Sequence, residues 1–257
     1  MSDTTTVVVP DAQIPYHNRK ALRALIGFIG DFQPSAVVNI GDLADFPQPS
    51  RWNKDTRGEF EGSVYRDAEI VARDWSEPLR EVYSGPVGIH EGNHDERPRV
   101  YLEKYAPALS GTKAFHMETL LSFDAYEFTR LPEFHDIAPG WLSTHGHRGG
   151  IRLTQVSGMT AFKAAERFGR SVIMGHTHRL GKVSKSYGYA GEIKKTLTGV
   201  EVGNVMDMKR ANYLKGATAN WQSGFAIVRA AKKSVQVDTI EITGGRFQVD
   251  GVSYQVS

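Results

Sequence analysis

Five short apolar runs in the first 180 residues each lead into a tight turn that carries acidic, amide or imidazole side chains. The clearest run, Ala36 to Ile40, is followed directly by Gly41-Asp42-Leu43-Ala44-Asp45, so two carboxylates stand at the end of an apolar strand. The five turns carry Asp11 and Gln13, Asp42 and Asp45, Asn93 and His94, His145 and His147, and His176 and His178. Because ligands bind outside the carboxyl ends of strands in open α/β sheets, this repetition predicts one shared site.

The first two runs are joined by a segment with helical periodicity. Thr5 to Val9 is β-branched and apolar, which favours a strand. From Asn18 the apolar residues recur at positions i, i+3, i+4 and i+7, which is typical of an amphipathic helix; they are Leu22, Leu25, Ile26 and Ile29. Strand, helix and strand predict a parallel crossover unit with Asp11 and Asp42 on the same edge of the sheet.

The middle of the chain alternates further helices and strands. Helices are predicted over Ser63–Tyr83, Arg99–Lys104 and Thr154–Phe168, and strands over Val87–Glu91, Ser122–Leu131, Trp141–Thr144 and Arg170–Met174. Residues Phe46 to Gly62 lack periodicity and predict a long surface loop, and loops of that length are often functional.

Beyond His178 the pattern becomes all-β. Strands are predicted over Val183–Tyr189, Thr196–Val202, Gly224–Arg229 and Ser234–Ile242, with a hairpin over Phe247–Val256 that turns at Asp250-Gly251. No linker or repeat separates this part from the rest. We therefore expect one domain over residues 1–257, with the metal-ligand motifs within residues 5–180 and with residues 181–257 completing a second sheet.

Composition limits the chemistry that a site of this kind can use. The chain has 257 residues and no cysteine, which excludes disulfides and thiolate metal sites. No window is as apolar as a membrane span, and the N-terminus lacks a secretory pattern, so we expect a cytoplasmic protein with no membrane partner. The formal net charge is only +2 and no basic run appears, which leaves a nucleic-acid-binding surface open.

Each cluster by itself has a structural explanation, but the set as a whole indicates a metal site. Asp11 could form a turn and Asp42 could cap a helix, while single histidines are often structural. Glycine precedes Asp42, Asn93 and His176, as a tight turn requires when a side chain is directed back at one point. Carboxylate, amide and imidazole ligands suit Mn, Fe, Zn, Ni or Mg. They are too many for one catalytic ion with an open position, which favours two metals.

The ordered motifs Asp11-x-Gln13, Gly41-Asp42-x-x-Asp45, Gly92-Asn93-His94-Asp95, His145-Gly146-His147 and Gly175-His176-x-His178 resemble those of the calcineurin-like metallophosphoesterase superfamily. The resemblance implies a four-layer αββα sandwich with two mixed β-sheets and a dinuclear site. The first metal would take Asp11, Gln13, Asp42 and His178, and the second would take Asp42, Asn93, His145 and His176. His94 would act on the phosphoryl oxygen or the leaving group, oriented by Asp45.

One position departs from that family pattern. Members usually carry His where this chain has Gln13, and an amide oxygen is a weaker and harder donor than an imidazole. The substitution favours Mn or Mg over Zn at the first metal, and Gln13 could instead ligate through water. The stretch Asp-Ala-Gln-Ile-Pro-Tyr-His resembles that of phage-encoded members, which would make the host cytoplasm the location.

These roles predict a phosphoesterase that hydrolyses small phosphodiesters, such as 2′,3′-cyclic nucleotides or aryl phosphodiesters, by attack of a hydroxide that bridges two metals, Mn foremost. A nuclease with the same site is the nearest alternative, and a non-catalytic metal-binding scaffold is an alternative of another class. The oligomeric state is left open. Residues predicted to contact the substrate are His17, His147, Arg148 and Arg51, with solvated charge as the alternative for each arginine.

Overall fold

Two mixed β-sheets pack face to face in a computed structural model that describes residues 3–210, 218–232 and 234–257. Their facing surfaces bury one apolar cluster that draws Val8 and Ala226 from the first sheet and Ile173 and Val200 from the second. Helices cover the outer face of each sheet. The predicted four-layer αββα sandwich is therefore confirmed.

The first sheet has six strands in the order β11-β10-β1-β2-β3-β4. Strands β1 to β4 are parallel, and β10 and β11 join as antiparallel neighbours of β1 and β10. The strands are β1 (Thr4–Val9), β2 (Ala36–Asn39), β3 (Val87–Ile89), β4 (Phe128–Arg130), β10 (Gly224–Ala231) and β11 (Ser234–Glu241).

The second sheet has five strands in the order β5-β6-β7-β9-β8. Strands β6, β7 and β9 are parallel, while β5 and β8 run antiparallel along its two edges. The strands are β5 (His135–Ala138), β6 (Trp141–Thr144), β7 (Ser171–Met174), β8 (Leu180–Tyr189) and β9 (Glu192–Val202); a separate hairpin contains β12 (Arg246–Val249) and β13 (Val252–Gln255).

Helices occupy both outer layers. They are α1 (Arg19–Phe32), α2 (Arg57–Phe60), α3 (Val64–Val71), α4 (Glu77–Val82), α5 (Arg97–Tyr105), α6 (Met117–Leu120) and α7 (Met159–Phe168). A π-helical turn, Ala72–Ser76, joins α3 to α4. Asn18 caps α1 through a hydrogen bond from the backbone N–H of Ala21 at 3.2 Å. No helix among the described residues is both long and apolar enough to cross a membrane.

Strand β1 shows why its sequence is apolar without alternation. Val7 and Val9 belong to the cluster beneath α1, whereas Val8 belongs to the cluster between the sheets. Both faces of the strand are therefore buried, and a continuous β-branched run satisfies both. The face of α1 that packs on this sheet is the predicted one, since Leu22, Leu25, Ile26 and Ile29 are all buried.

Several predicted boundaries differ from those observed. The strand predicted over Ser122–Leu131 is formed only by Phe128–Arg130, because residues 122–127 form turns whose aromatic side chains pack on Phe128. Helix α7 begins at Met159 rather than at Thr154, directly after Gly158 with its left-handed backbone. Strand β5 was not predicted, and the loop over Phe46–Gly62 contains the short helix α2.

The expectation that residues 181–257 complete the second sheet is wrong for most of that segment. Strands β8 and β9 do extend the second sheet, but β10 and β11 extend the first one beside β1. The residues of β10 explain this position, because Phe225 and Ile227 face the helices while Ala226 and Val228 face the other sheet. The single-domain organisation of residues 1–257 stays a prediction.

Candidate metal centre and cleft

The five predicted turns meet where the carboxyl ends of two sets of parallel strands converge. Strands β1, β2 and β3 are neighbours in the first sheet, and β6 and β7 are neighbours in the second. Two groups of ligand atoms result, with the atoms of each group within 4.8 Å of one another: Asp11, Asp42 and His178, and Asp42, His145 and His176. Asp42 belongs to both groups, as a bridging ligand must.

His145 provides a test of whether these residues fit a cation. Its Nδ1–H donates to the carbonyl oxygen of Ile40 at 3.1 Å, so in the neutral ring, which is the form that binds a metal, the lone pair is on Nε2. That nitrogen lies 3.3 Å from Oδ2 of Asp42 and 3.3 Å from Oδ1 of Asn93. Three electron-rich atoms therefore face one another, and a divalent cation satisfies them all.

The electrostatics of the same cluster also call for positive charge. Burial alone would lower the pKa of His145, but the nearby carboxylates, Asp42 foremost, outweigh burial and raise it to about 10. Burial likewise opposes the charge on Asp42, yet His145 and His94 hold its pKa well below the usual value. A site that retains a buried carboxylate and demands a cation beside it has the character of a metal site.

The other group brings Asp11 and His178 together, with Gln13 beside them. Nε2 of His178 lies 3.3 Å from Oδ2 of Asp11 and 3.2 Å from Nε2 of Gln13. Oε1 of Gln13 is buried without a hydrogen-bond partner among the described atoms. An orphaned amide oxygen beside two ligand-type residues also fits a cation, because carbonyl oxygens are good ligands for hard metals.

Glycines allow the turns to approach one another closely. A Cβ atom at Gly92 would overlap both Oδ1 and the backbone nitrogen of Asp42. A Cβ atom at Gly175 would overlap Oδ1 of Asp11. These two glycines are therefore required by contacts with a different turn.

Four of the predicted ligands have a left-handed backbone, which non-glycine residues rarely adopt. The φ angles are 49° at Gln13, 52° at Asp42, 68° at His176 and 57° at His178. Such strain persists only where surrounding structure enforces it, and it is typical of functional sites.

His94 and Asp45 form the pair that the sequence predicts. Nδ1–H of His94 donates to Oδ1 of Asp45, and the backbone N–H of His94 donates to Asp42 at 2.8 Å. Nε2 of His94 lies 3.0 Å from Nη2 of Arg97. Burial opposes the charged imidazolium, but the carboxylates of Asp42 and Asp45 outweigh it and raise the pKa of His94.

Three buried polar groups hold these turns in place; Asp95 is part of the Gly92-Asn93-His94-Asp95 motif, whereas sequence reasoning missed Asn204 and Glu201. The buried carboxylate of Asp95 accepts hydrogen bonds from the backbone N–H groups of Ala44 and Gly92, both at 2.9 Å, and so ties two turns together. Nδ2 of Asn204 donates to the carbonyl oxygen of His178 at 3.0 Å. Oε2 of Glu201 accepts from the hydroxyl of Thr177 at 2.8 Å, between His176 and His178. Asn204 and Glu201 are distant in sequence, and no local signal marks them.

A cleft of about 830 Å³ opens over the metal-ligand cluster. Gln13, Asp42, Asp45, His94, His176 and His178 line its floor. Tyr16, Trp52, Arg97, Arg210 and Trp221 also line it, and none of them was predicted as a site residue. Arg97 could have been found from sequence, since it follows His94 by three residues, at the first position of α5. The loop over Phe46–Gly62 also contributes Pro47, Ser50 and Asn53.

The four residues predicted to contact substrate lie elsewhere in the described structure. His17 is 3% exposed, with Nε2 3.2 Å from Asp74 but not aligned for a hydrogen bond. The ring centroid of His147 lies 5.2 Å from that of His145, beside the cluster, but His147 does not line the cleft. Arg148 is paired with Glu96, and the guanidinium of Arg51 lies 4.7 Å from the ring centroid of Trp52. None of the four lines the cleft.

Comparisons with known sequences find close relatives in two bacteriophages. No protein-family model matches the sequence. The chain is 55% identical to the Gene 54 protein of Mycobacterium phage L5 over 251 residues, covering 97% of this chain and 98% of that protein. It is 54% identical to the Gene 54 protein of Mycobacterium phage D29, with the same coverage.

Solved structures with a similar arrangement are far more distant in sequence. Zn²⁺-complexed Vps29 from Entamoeba histolytica is 14% identical, with a TM-score of 0.49 over 97% of this chain and 98% of that chain. The phosphoesterase YfcE from E. coli is 14% identical, with a TM-score of 0.45 over 98% of this chain and 100% of that chain. Both scores lie below 0.5, so function is argued from the geometry of the site itself.

Proposed function

The chain belongs to the Gene 54 protein family of mycobacteriophages, and we propose that it is a metal-dependent phosphoesterase that hydrolyses phosphodiesters. One observation carries the proposal. Two groups of candidate ligand atoms share Asp42. The imidazole of His94, which is hydrogen-bonded to Asp45, lies beside them in the same cleft. Because its relatives are encoded by phages, we expect the protein to be located in the cytoplasm of the bacterial host.

The proposed metal-holding residues are those of the two observed groups, with Gln13 added to one and Asn93 to the other. Asp11, Gln13, Asp42 and His178 would hold one divalent cation, and Asp42, Asn93, His145 and His176 would hold the other. When bound, the two cations supply Lewis-acid charge for a phosphoryl group and lower the pKa of an attacking water. Mn²⁺ suits a set with carboxylate, amide and imidazole donors and no sulfur.

His94 would supply the proton that the leaving oxygen needs. Its Nδ1–H is engaged by Asp45, so Nε2 is the atom that meets the substrate. The raised pKa of His94 favours the protonated ring, which can donate to a departing alkoxide. Nη2 of Arg97 lies 3.0 Å from Nε2 and can only donate, so the guanidinium would have to turn away from the protonated ring, and it would then add positive charge beside the phosphoryl oxygens.

Small phosphodiesters, such as 2′,3′-cyclic nucleotides or aryl phosphodiesters, suit the cleft. Its volume of about 830 Å³ is within the range of small-ligand sites. The net charge of +2 gives little of the long-range attraction with which proteins hold duplex nucleic acid.

The test is hydrolysis of bis-p-nitrophenyl phosphate by purified protein with Mn²⁺, with Asp42→Ala as the matched variant. We expect turnover by the wild type and its loss in Asp42→Ala. Absence of turnover with Mn, Fe, Zn, Ni and Mg alike would refute the proposal.

Two further measurements separate the alternatives. Degradation of single-stranded DNA or RNA faster than of cyclic nucleotides would identify a nuclease with this site. Metal analysis tests the scaffold: two ions per chain with turnover support the enzyme, whereas one ion without turnover supports a non-catalytic role.

A further inference from the structure

The cleft has an exposed tryptophan on its wall that the proposed chemistry does not use. Trp52 lines the cleft, yet it is 75% exposed. It contributes nothing to the buried apolar clusters of the described residues. The guanidinium of Arg51 lies 4.7 Å from its ring centroid, which is the geometry of a cation–π contact. A ring of this size held at the rim of a cleft is available for a planar ligand group.

The same cleft contains other rings and cationic groups. The ring of Trp221 lies 4.4 Å, between centroids, from the imidazole of His178. The guanidinium of Arg210 lies 5.2 Å from the ring centroid of Tyr16 and donates to the carbonyl oxygen of Pro15 at 2.6 Å. Aromatic surface and positive charge therefore occur together within reach of the metal-ligand cluster.

This combination indicates the substrate's chemical class. Cations attract the phosphate, while exposed tryptophan faces favour a flat, partly apolar ring, and a nucleotide offers both. A phosphodiester between two simple alkyl groups would offer the Trp52 ring no planar group to stack on. Resting on the function proposed above, we propose that Trp52 stacks a nucleobase whose sugar carries the scissile phosphodiester.

Phe60 provides a matched control for this assignment. It is 79% exposed and lies eight positions after Trp52, in α2 of the same segment, but it does not line the cleft. Truncation of either ring removes exposed aromatic surface. Only the truncation of Trp52 is expected to alter substrate recognition.

The kinetic test compares two substrates with the same leaving group. Thymidine 5′-(p-nitrophenyl phosphate) carries a nucleoside, and methyl p-nitrophenyl phosphate does not; both release p-nitrophenolate and carry the same charge. With Mn²⁺ we expect the wild type to prefer the nucleoside ester. The ratio of the two kcat/KM values should fall about tenfold in Trp52→Ala, since loss of one base stack has an effect of this order. The ratio should stay near the wild-type value in Trp52→Phe and in Phe60→Ala.

The outcomes separate this inference from the proposed function. An unchanged ratio in Trp52→Ala, or an equal loss on both esters, overturns the assignment of Trp52 while leaving a phosphoesterase in place. If the wild type hydrolyses neither of these esters nor bis-p-nitrophenyl phosphate with any of the five metals, the proposed function fails, and a binding measurement decides the base site.

That measurement is the quenching of tryptophan fluorescence by thymidine 5′-monophosphate. Of the four tryptophans, Trp75 is 0% exposed and Trp141 is 7% exposed, so an added nucleotide reaches Trp52 or Trp221. We expect about tenfold weaker binding in Trp52→Ala than in Phe60→Ala. Equal affinities in the two variants would overturn the inference.

Discussion

Asp45 accepts a hydrogen bond from Nδ1 of His94, and this contact directs Nε2 of the same ring towards Arg97 and the cleft. Asp42 precedes Asp45 by three residues, yet its carboxylate belongs to both groups of candidate metal-ligand atoms. Two acids of one short segment therefore have different surroundings, and substitutions can separate their roles.

Asp45→Asn should keep the bound metals and lose rate. An amide oxygen can still accept from Nδ1–H, but it is a weaker acceptor and carries no negative charge, so His94 is held less firmly and its pKa falls. We expect kcat to fall by about 100-fold, the usual scale for a general acid, with metal content unchanged. The measurements are elemental analysis and steady-state kinetics with Mn²⁺.

Asp42→Asn is the matched comparison, because it changes one atom in the same turn. It should lose metal and activity together, since Asp42 belongs to both ligand groups. Equal metal loss in the Asp42 and Asp45 variants would contradict the division of roles.

Gly92→Ala should disturb the site through steric overlap. The added methyl group would collide with Oδ1 and the backbone nitrogen of Asp42. We expect a loss of about 1 to 3 kcal/mol in the free energy of unfolding, together with weaker metal binding. Denaturant titrations with and without Mn²⁺ measure both effects. Gly111→Ala is the control, because a Cβ atom there meets nothing within 4 Å. Similar results for the two variants would show that the close approach is not required.

Gln13→His should strengthen metal binding. The side chain lies 3.2 Å from Nε2 of His178, and its oxygen lacks a hydrogen-bond partner among the described atoms. An imidazole is a stronger donor to Zn²⁺ and Mn²⁺ than an amide oxygen. We expect the weaker of the two dissociation constants to fall by at least about tenfold, which corresponds to about 1.4 kcal/mol. Calorimetric titration of metal-free protein tests this, and an unchanged constant would indicate that residue 13 is not a ligand.

Acid should destabilise the fold through His17. Burial lowers the pKa of its imidazole to about 4; Asp74 opposes this shift, and Arg19, Arg210 and Arg73 add to it. Between pH 6.5 and pH 4 the unfolded chain therefore binds more protons than the folded one, so stability falls as the pH is lowered. His17 should lower the free energy of unfolding by about 2 kcal/mol when the pH falls from 7 to 5.

The control for that effect is His17→Gln, which cannot be protonated. Its free energy of unfolding, measured by urea denaturation, should depend less on pH over the same interval. Parallel pH profiles for the two proteins would show that His17 is not the group responsible.

Part of the structure could be predicted because local patterns encode it. The apolar face of α1 and the run of β1 follow from the period of the hydrophobic residues and from burial on both faces. The meeting of the turns that contain Asp42, Asn93 and His176 could also be predicted, because the carboxyl ends of neighbouring parallel strands lie at one edge of a sheet. The sequence alone thus indicated two packed sheets and the candidate ligand residues, and the resemblance of the motifs implied the four-layer fold; the binding of metal by these residues stays a prediction.

Only the tertiary structure decided which distant groups complete the site. Asn204 and Trp221 come from the segment after β9, and Trp52 comes from a loop without periodicity, so their approach depends on long-range packing. The same packing buries His17 against Asp74 and keeps it from the cleft. Periodicity reports which face of an element is buried, whereas the neighbours that cover that face are chosen by the assembly of the whole chain.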